Sequence, residues 1–467
     1  MLDAVVEALH LFAQPSTILW LGIGVMMGTL TGLLPGLGGS VGMALLLPFI
    51  YGIEPHQAIV MLIGIMAVNN TADTFSAILL GIPGSSSSQP TVMDGFPLTR
   101  KGEGARALGA ALFGSMVGGI IGAIALVMII PIARPIVLGL GSPELFMLSL
   151  LGLSIVGILA SDKPLAGLLT ASIGLLFGMV GASVATTRFV VFEWDYLRQG
   201  ISMIILIMGL YAIPELLQLL QDRTPVARSG KLVPGGLLRG IRDVIRHRVL
   251  VLASSLGAIV FAIIPGVTSV AITWTIYSLT KRFSRNNENF GKGDIRGVIA
   301  PDSSNNANEG GALVPITLFG IPGGASGAVL LAGMIIVGIN PGSSMIESNL
   351  HILLVMAFSL AAANVIATSL CLAGARFFAK LSTVRPGMLV PGIFLVVIVA
   401  CYQQSNQWHD ILLLLVMAVV GVSLTRAGWP RPPLLIGFVL GPNMENYLRL
   451  SVDRYDYGWL GRPGVIG

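Results

Sequence analysis

From Ala8 to Ile53 the chain carries no Asp, Glu, Lys or Arg. Crossing the apolar layer of a bilayer takes about 20 residues of helix, so this stretch is too long for one span and must fold back. The turn is expected at Pro35-Gly36, because proline has no N–H to continue a helix and glycine tolerates the bend. The run 249–280 poses the same problem and offers the same break, Pro265-Gly266. Composition extends the argument to the whole chain: 54% is hydrophobic, 10% is charged and mean hydropathy is +0.86, against roughly 25% charged in a soluble domain. Further uncharged runs at 107–133, 164–187, 310–346 and 386–408, with less clean ones at 144–161, 199–221, 348–375 and 411–425, predict roughly ten to fourteen membrane elements. The expected fold is an all-α polytopic membrane protein. The first fourteen residues lack the basic start and small-residue cleavage site of a secretory signal, so the first apolar segment is expected to stay in the mature protein.

The chain also repeats itself. Asn69-Asn70-Thr71-Ala72-Asp73, an apolar stretch and Gly81-Ile82-Pro83-Gly84 are matched by Asn305-Asn306-Ala307-Asn308-Glu309, another apolar stretch and Gly320-Ile321-Pro322-Gly323. A Pro-Gly step precedes each copy, Leu34-Pro35-Gly36 and Ile264-Pro265-Gly266. Three elements in one order, half a chain apart, indicate duplication. Residues 1–222 form the expected first repeat, 223–248 a basic linker and 249–467 the second repeat.

Charge orients the copies. From Arg223 to Arg248 there are seven Lys or Arg against one acid, Asp243, so the linker is expected in the cytoplasm. The loop 281–296 holds Lys281, Arg282, Arg285, Lys292 and Arg296, while its counterpart from Tyr51 to Gln57 has no basic residue. Beyond the Gly-Ile-Pro-Gly elements the bias reverses: Arg100, Lys101 and Arg106 follow the first, and Asn340 to Asn349 after the second carries none. Equivalent loops facing opposite sides mean inverted repeats. The overall charge of +5 reflects these loops and gives no reason to expect nucleic acid as a partner.

A Gly-Ile-Pro-Gly break at membrane depth leaves backbone groups unpaired, which is tolerated only where protein or a water-filled cavity satisfies them. Ser85-Ser86-Ser87-Ser88 follows the first break and Gly324-Ala325-Ser326-Gly327 the second. A helix starting at either point would turn free N–H groups toward the gap, a site for a carboxylate. Asn69, Asn70, Thr71, Asn305, Asn306 and Asn308 can donate to a polar ligand or offer oxygens to a hard cation such as sodium, the one metal ion expected here. Asp73 and Glu309 hold the same place in the two copies. A carboxylate in an apolar region reads as a cation ligand or proton carrier; the plainer reading is a helix-end cap near the headgroups. For Glu309 a wet loop formed by Asp302 and the polar run from Ser303 to Asn308 is an equal alternative.

Other charges carry less. Arg134 between Pro131 and Pro135 reads as snorkelling to the interface, Arg188 and Arg198 as solvated charges of an outer loop, and Glu215 after Pro214 as a helix end. Cys371 and Cys401 lie in apolar segments without His or Cys at metal spacing, so neither a disulfide nor a metal site is expected. His10, His56 and His351 are isolated, no catalytic set is present and the serine run lacks the Gly-Lys-Ser/Thr of a nucleotide loop. No enzyme activity and no cofactor are expected.

Thr31-Gly32-Leu33-Leu34-Pro35-Gly36-Leu37-Gly38-Gly39, with Asn69-Asn70 through Gly81-Ile82-Pro83-Gly84-Ser85 and Phe319-Gly320-Ile321-Pro322-Gly323, resembles the large permease subunit of tripartite tricarboxylate transporters over nearly the whole chain. The resemblance implies a multi-pass carrier of the bacterial inner membrane that works with a small membrane subunit and a periplasmic solute-binding protein. It also implies import of citrate or another carboxylate on a sodium or proton gradient. The positions it carries over are the two Pro-Gly steps, the two Asn-Asn clusters and the two Gly-Ile-Pro-Gly turns, with Gly324 and Ser85 beside them. The repeat is imperfect: Val267-Thr268-Ser269 stands where the first copy has Leu-Gly-Gly, and the second amide-to-glycine spacing is three residues longer. Different jobs for the half-sites are expected, one weighted to the anion and one to the cation. The rival readings are another inverted-repeat organic-anion carrier and a channel.

Overall fold

Helices account for the regular structure, and no strand occurs among the described residues. The computed structural model describes residues 2–34, 38–159, 163–181, 195–221, 235–381 and 390–466; Pro35, Gly36 and Arg188 fall outside them. Among the described residues five helices are long and apolar enough to cross a bilayer: Pro15–Leu33, Pro55–Leu79, Gly104–Gly139, Leu350–Ala373 and Trp408–Ala427. Six shorter apolar helices, Ala325–Ile336 and Gly39–Ile50 among them, also occur among the described residues. On Gly104–Gly139, Ile124, Met128, Ile132 and Ile136 form an exposed stripe at four-residue spacing, one helix face turned to lipid. The chain is an all-α polytopic membrane protein.

The second fold-back occurs where it is expected. Arg248–Ala262 ends, Gly266 takes a left-handed φ of +86°, and Ser269–Phe283 begins, its first turn capped by Thr268 through a 3.3 Å bond from the Ala271 N–H. Around the first, Pro15–Leu33 leads to Gly39–Leu46. Glu215 does not end a helix. It lies in the first turn of Ile213–Gln221 and pairs with Arg431 at 3.3 Å.

Two helices that carry the duplicated amides form the centre, Pro55–Ala72 (the first amide helix) and Arg296–Phe319 (the second). Each is buried along nearly its whole length, which requires neighbours that come very close. On Pro15–Leu33, Gly24, Gly28 and Gly32 face Met61, Ile65 and Asn69 of the first amide helix; a Cβ on Gly32 would sit 2.5 Å from the Asn69 carbonyl oxygen. On Gly104–Gly139, Gly118 and Gly122 face Ser303 and Ala307 of the second. Small residues at four-residue spacing bring helix backbones together in this way. The partnership is crossed: Gly104–Gly139 from the first half packs on the second amide helix, and Leu350–Ala373 from the second half packs on the first.

Within the expected linker, residues 222–234 lie outside the described part, and Gly236–Arg246 is a helix bent 73° from Arg248–Ala262. Gly240 seats it against Arg106 and Ala110 of the long helix, and Arg106 bonds Asp243 at 2.5 Å and Glu103 at 2.7 Å. A second cross-link ties the halves. Asp94, buried on Gln89–Arg100, accepts from Tyr277 Oη at 2.9 Å and from the N–H groups of Gly291, Gly293 and Asp294 at 2.8–2.9 Å.

Candidate functional site

The amide helices meet through the duplicated residues. Asn70 Nδ2 donates to Glu309 Oε1 at 2.5 Å, and its counterpart Asn306 reaches back through Nδ2 to Thr71 Oγ1 at 2.8 Å and the Ala67 carbonyl at 3.2 Å. Asn306 Nδ2 also donates to Asn364 Oδ1 at 2.7 Å, and Asn364 in turn donates to the Leu360 carbonyl at 2.8 Å. These acceptors fix the Asn306 amide, because only its nitrogen can serve them. Its oxygen is left buried without a donor.

The other site residues divide among separate partners. Asn69 Oδ1 accepts from Thr31 at 3.3 Å. Asn308 accepts from Ser269 at 3.0 Å and donates to the Asn305 carbonyl at 2.6 Å, while Asn305 Oδ1 has no donor. Asp73 lies at the junction between Pro55–Ala72 and Thr74–Leu79, accepts from Ser85 Oγ through Oδ2 and leaves Oδ1 buried and unpaired. Its side chain makes no cap bond to the adjoining helix Thr74–Leu79, so the capping reading does not describe it. Nor does Asp73 share a set of partners with Asn69 and Asn70.

The wet-loop alternative for Glu309 is overturned. Ser303 to Asn308 lie inside the continuous second amide helix and are buried, since Gly118 and Gly122 let the long helix close over them. Asp73 and Glu309 match in sequence but differ in setting, one at a helix junction and one in mid-helix. Two participants escaped the sequence reading. Asn364 is a lone amide in an apolar run, where a buried polar residue is itself a signal, and Gly119 makes the room it occupies. Asp302 is buried and accepts from Thr91 Oγ1 at 3.0 Å.

Both glycine breaks form, and they differ. Gly81 and Gly320 take left-handed φ of +72° and +70°, and Pro83 and Pro322 follow each by two residues. Gly84 packs on Asp73: a Cβ there would meet the Asp73 Cβ at 2.5 Å. Beyond it Ser85 and Ser88 cap one another in a short 3₁₀ turn, Ser86–Ser88, so this helix start is already satisfied. Gly323 packs on the Val267 carbonyl at a Cβ distance of 2.7 Å, whereas Gly324 faces open space and Ala325–Ile336 begins with no side-chain cap. Residues 323–327 are half-buried. An uncapped, accessible helix N-terminus offers N–H donors to an anion; buried amide and carboxylate oxygens without donors suit a hard cation. No cluster of three or more His, Cys, Asp or Glu able to hold a metal occurs among the described residues.

The sequence profile of the tripartite tricarboxylate transporter TctA family matches residues 18–436. The chain belongs to this family. It is also 32% identical over 440 residues to an Agrobacterium vitis protein described as the uncharacterized 52.8 kDa protein in the TAR-I ttuC' 3' region, covering 94% of this chain and 87% of that one. A second Agrobacterium vitis protein, from the TAR-II ttuC' 3' region, is 33% identical over 190 residues, 41% of this chain and 78% of the relative. No solved structure matches. As a TctA family member the chain is a subunit of a tripartite tricarboxylate transporter, and the amide helices and glycine breaks fall inside the matched span.

Proposed function

We propose that the chain is the carrier subunit that imports a tricarboxylate or related organic acid through the bacterial inner membrane on a sodium or proton gradient. A periplasmic solute-binding protein delivers the substrate and a small membrane subunit completes the complex. The observation that carries this reading is the sorting of unmet groups: donors at the open start of Ala325–Ile336, acceptors at Asp73, Asn305 and Asn306. A substrate carboxylate takes the first and the coupling cation the second, with Gly320, Pro322, Gly323 and Gly324 shaping the anion side. On the cation side the turn of Gly81, Pro83, Gly84 and Ser85 holds Asp73, while Thr71, Asn308 and Glu309 fix the asparagines of the two amide helices. The two repeats are inverted, which places both breaks near mid-membrane.

The test is uptake of labelled citrate and other carboxylates into vesicles containing the chain, its small subunit and binding protein. Saturable accumulation that follows an imposed sodium or proton gradient is expected. Flux that never saturates and ignores both gradients would make it a channel.

A further inference from the structure

Gly236–Arg246 leaves one face bare, and that face has two edges. Leu238 and Ile245 are exposed along one, Arg239 and Arg246 along the other, with Arg242 between them. None of these arginines has an ion pair among the described residues. The 73° bend turns this helix aside from Arg248–Ala262, whose exposed Val249, Leu252, Leu256 and Val260 make a lipid-facing stripe. Exposed apolar side chains therefore lie on both sides of the bend. Beside the basic edge lies a cavity of about 330 Å³ lined by Gly102, Arg106, Arg239 and Arg242. The two acids there, Glu103 and Asp243, are taken up by Arg106, so Arg239 and Arg242 are the cations left facing it.

We infer that Gly236–Arg246 is an interfacial helix that binds the headgroups of anionic phospholipids. Its apolar edge inserts beside the acyl chains, and Arg239, Arg242 and Arg246 meet the phosphates. An amphipathic helix with a basic edge at the end of a membrane span has the chemistry for this. Water alone would leave Leu238 and Ile245 bare, and neutral lipid would leave three guanidinium groups without a counter-charge. Since Gly240 seats the helix on Arg106 and Ala110, bound lipid also braces the start of Gly104–Gly139.

Purified protein in detergent is titrated with phosphatidylglycerol or phosphatidylcholine, and bound lipid is counted by native mass spectrometry. Preferential retention of phosphatidylglycerol is expected, weakened about fivefold or more by Arg239→Gln, Arg242→Gln and Arg246→Gln together. Neutralising three cations of another loop, Lys281→Gln with Arg282→Gln and Arg285→Gln, should leave it unchanged. Equal weakening by both sets, or by neither, overturns the proposal, as does full displacement of the lipid by millimolar inorganic phosphate. A fluorophore at Leu238→Cys in vesicles keeps the test open if the triple variant does not fold. Quenching from lipid-borne spin labels is expected, and quenching by aqueous iodide alone would place the helix off the membrane.

Discussion

At Asn306 three acceptors surround one amide nitrogen, and the consequence falls on the oxygen. A buried acceptor without a donor costs about 1–3 kcal/mol, an expense a bound cation would offset. Asn364 is the nearest of the three acceptors that hold this arrangement, so Asn364→Leu loosens the Asn306 amide and leaves it on Thr71 and the Ala67 carbonyl. We expect uptake to fall about tenfold, equivalent to roughly 1.4 kcal/mol, with protein yield and melting temperature little changed; a large fall in melting temperature with transport intact would make Asn364 a packing residue. Asp73→Asn keeps shape and removes charge. Its expected outcome is loss of gradient-driven accumulation and a flattened rate against sodium at fixed pH, or against pH without sodium, at normal expression. An unchanged ion response would leave the Asn305 and Asn306 oxygens as the cation ligands. The paired asparagines were legible because they recur; Asn364 was not, since a single amide in an apolar run names no partner until the helices pack.

The breaks were legible as elements because Gly-Ile-Pro-Gly cannot continue a helix, and left-handed Gly81 and Gly320 show that the same letters make the same turn. Their divergence arises in the residues just beyond each turn. Ser85 and Ser88 close the first helix start on itself, whereas Ala325 and its neighbours past Gly324 have no hydroxyl placed to do so. The three extra residues in the second copy are nearly one helical turn, in keeping with a second amide helix that runs unbroken to Phe319 while the first breaks at Asp73. Valine at either inner glycine tests these elements. Gly84→Val would drive its Cβ into Asp73, and Gly323→Val into the Val267 carbonyl; both are expected to abolish uptake while membrane insertion persists. Transport at the normal rate in both would exclude a backbone-lined site.

For the molecule as a whole, hydropathy and charge gave the membrane class and the expected inversion of the repeats, but not which helices meet. The crossed packing of Gly104–Gly139 and Leu350–Ala373 depends on the Gly118, Gly119 and Gly122 surface facing another half of the chain, information that no local pattern contains. Inversion is checked by single cysteines. One placed in 281–296 is expected to react only from the cytoplasm and one in 51–57 only from the periplasm, and reaction of both from one side would end that reading. Native Cys371 and Cys401 are buried and give little background. Asp94 then bears on how such a molecule moves. It lies in the first half of the chain, yet its four donors, Tyr277, Gly291, Gly293 and Asp294, all lie in the second. Sliding one half past the other would stretch all four bonds at once, whereas tilting about that point would strain them least. With Asp94 as the pivot, the travel of each half would grow with distance from it, and the widest opening would fall at the far end of the lever.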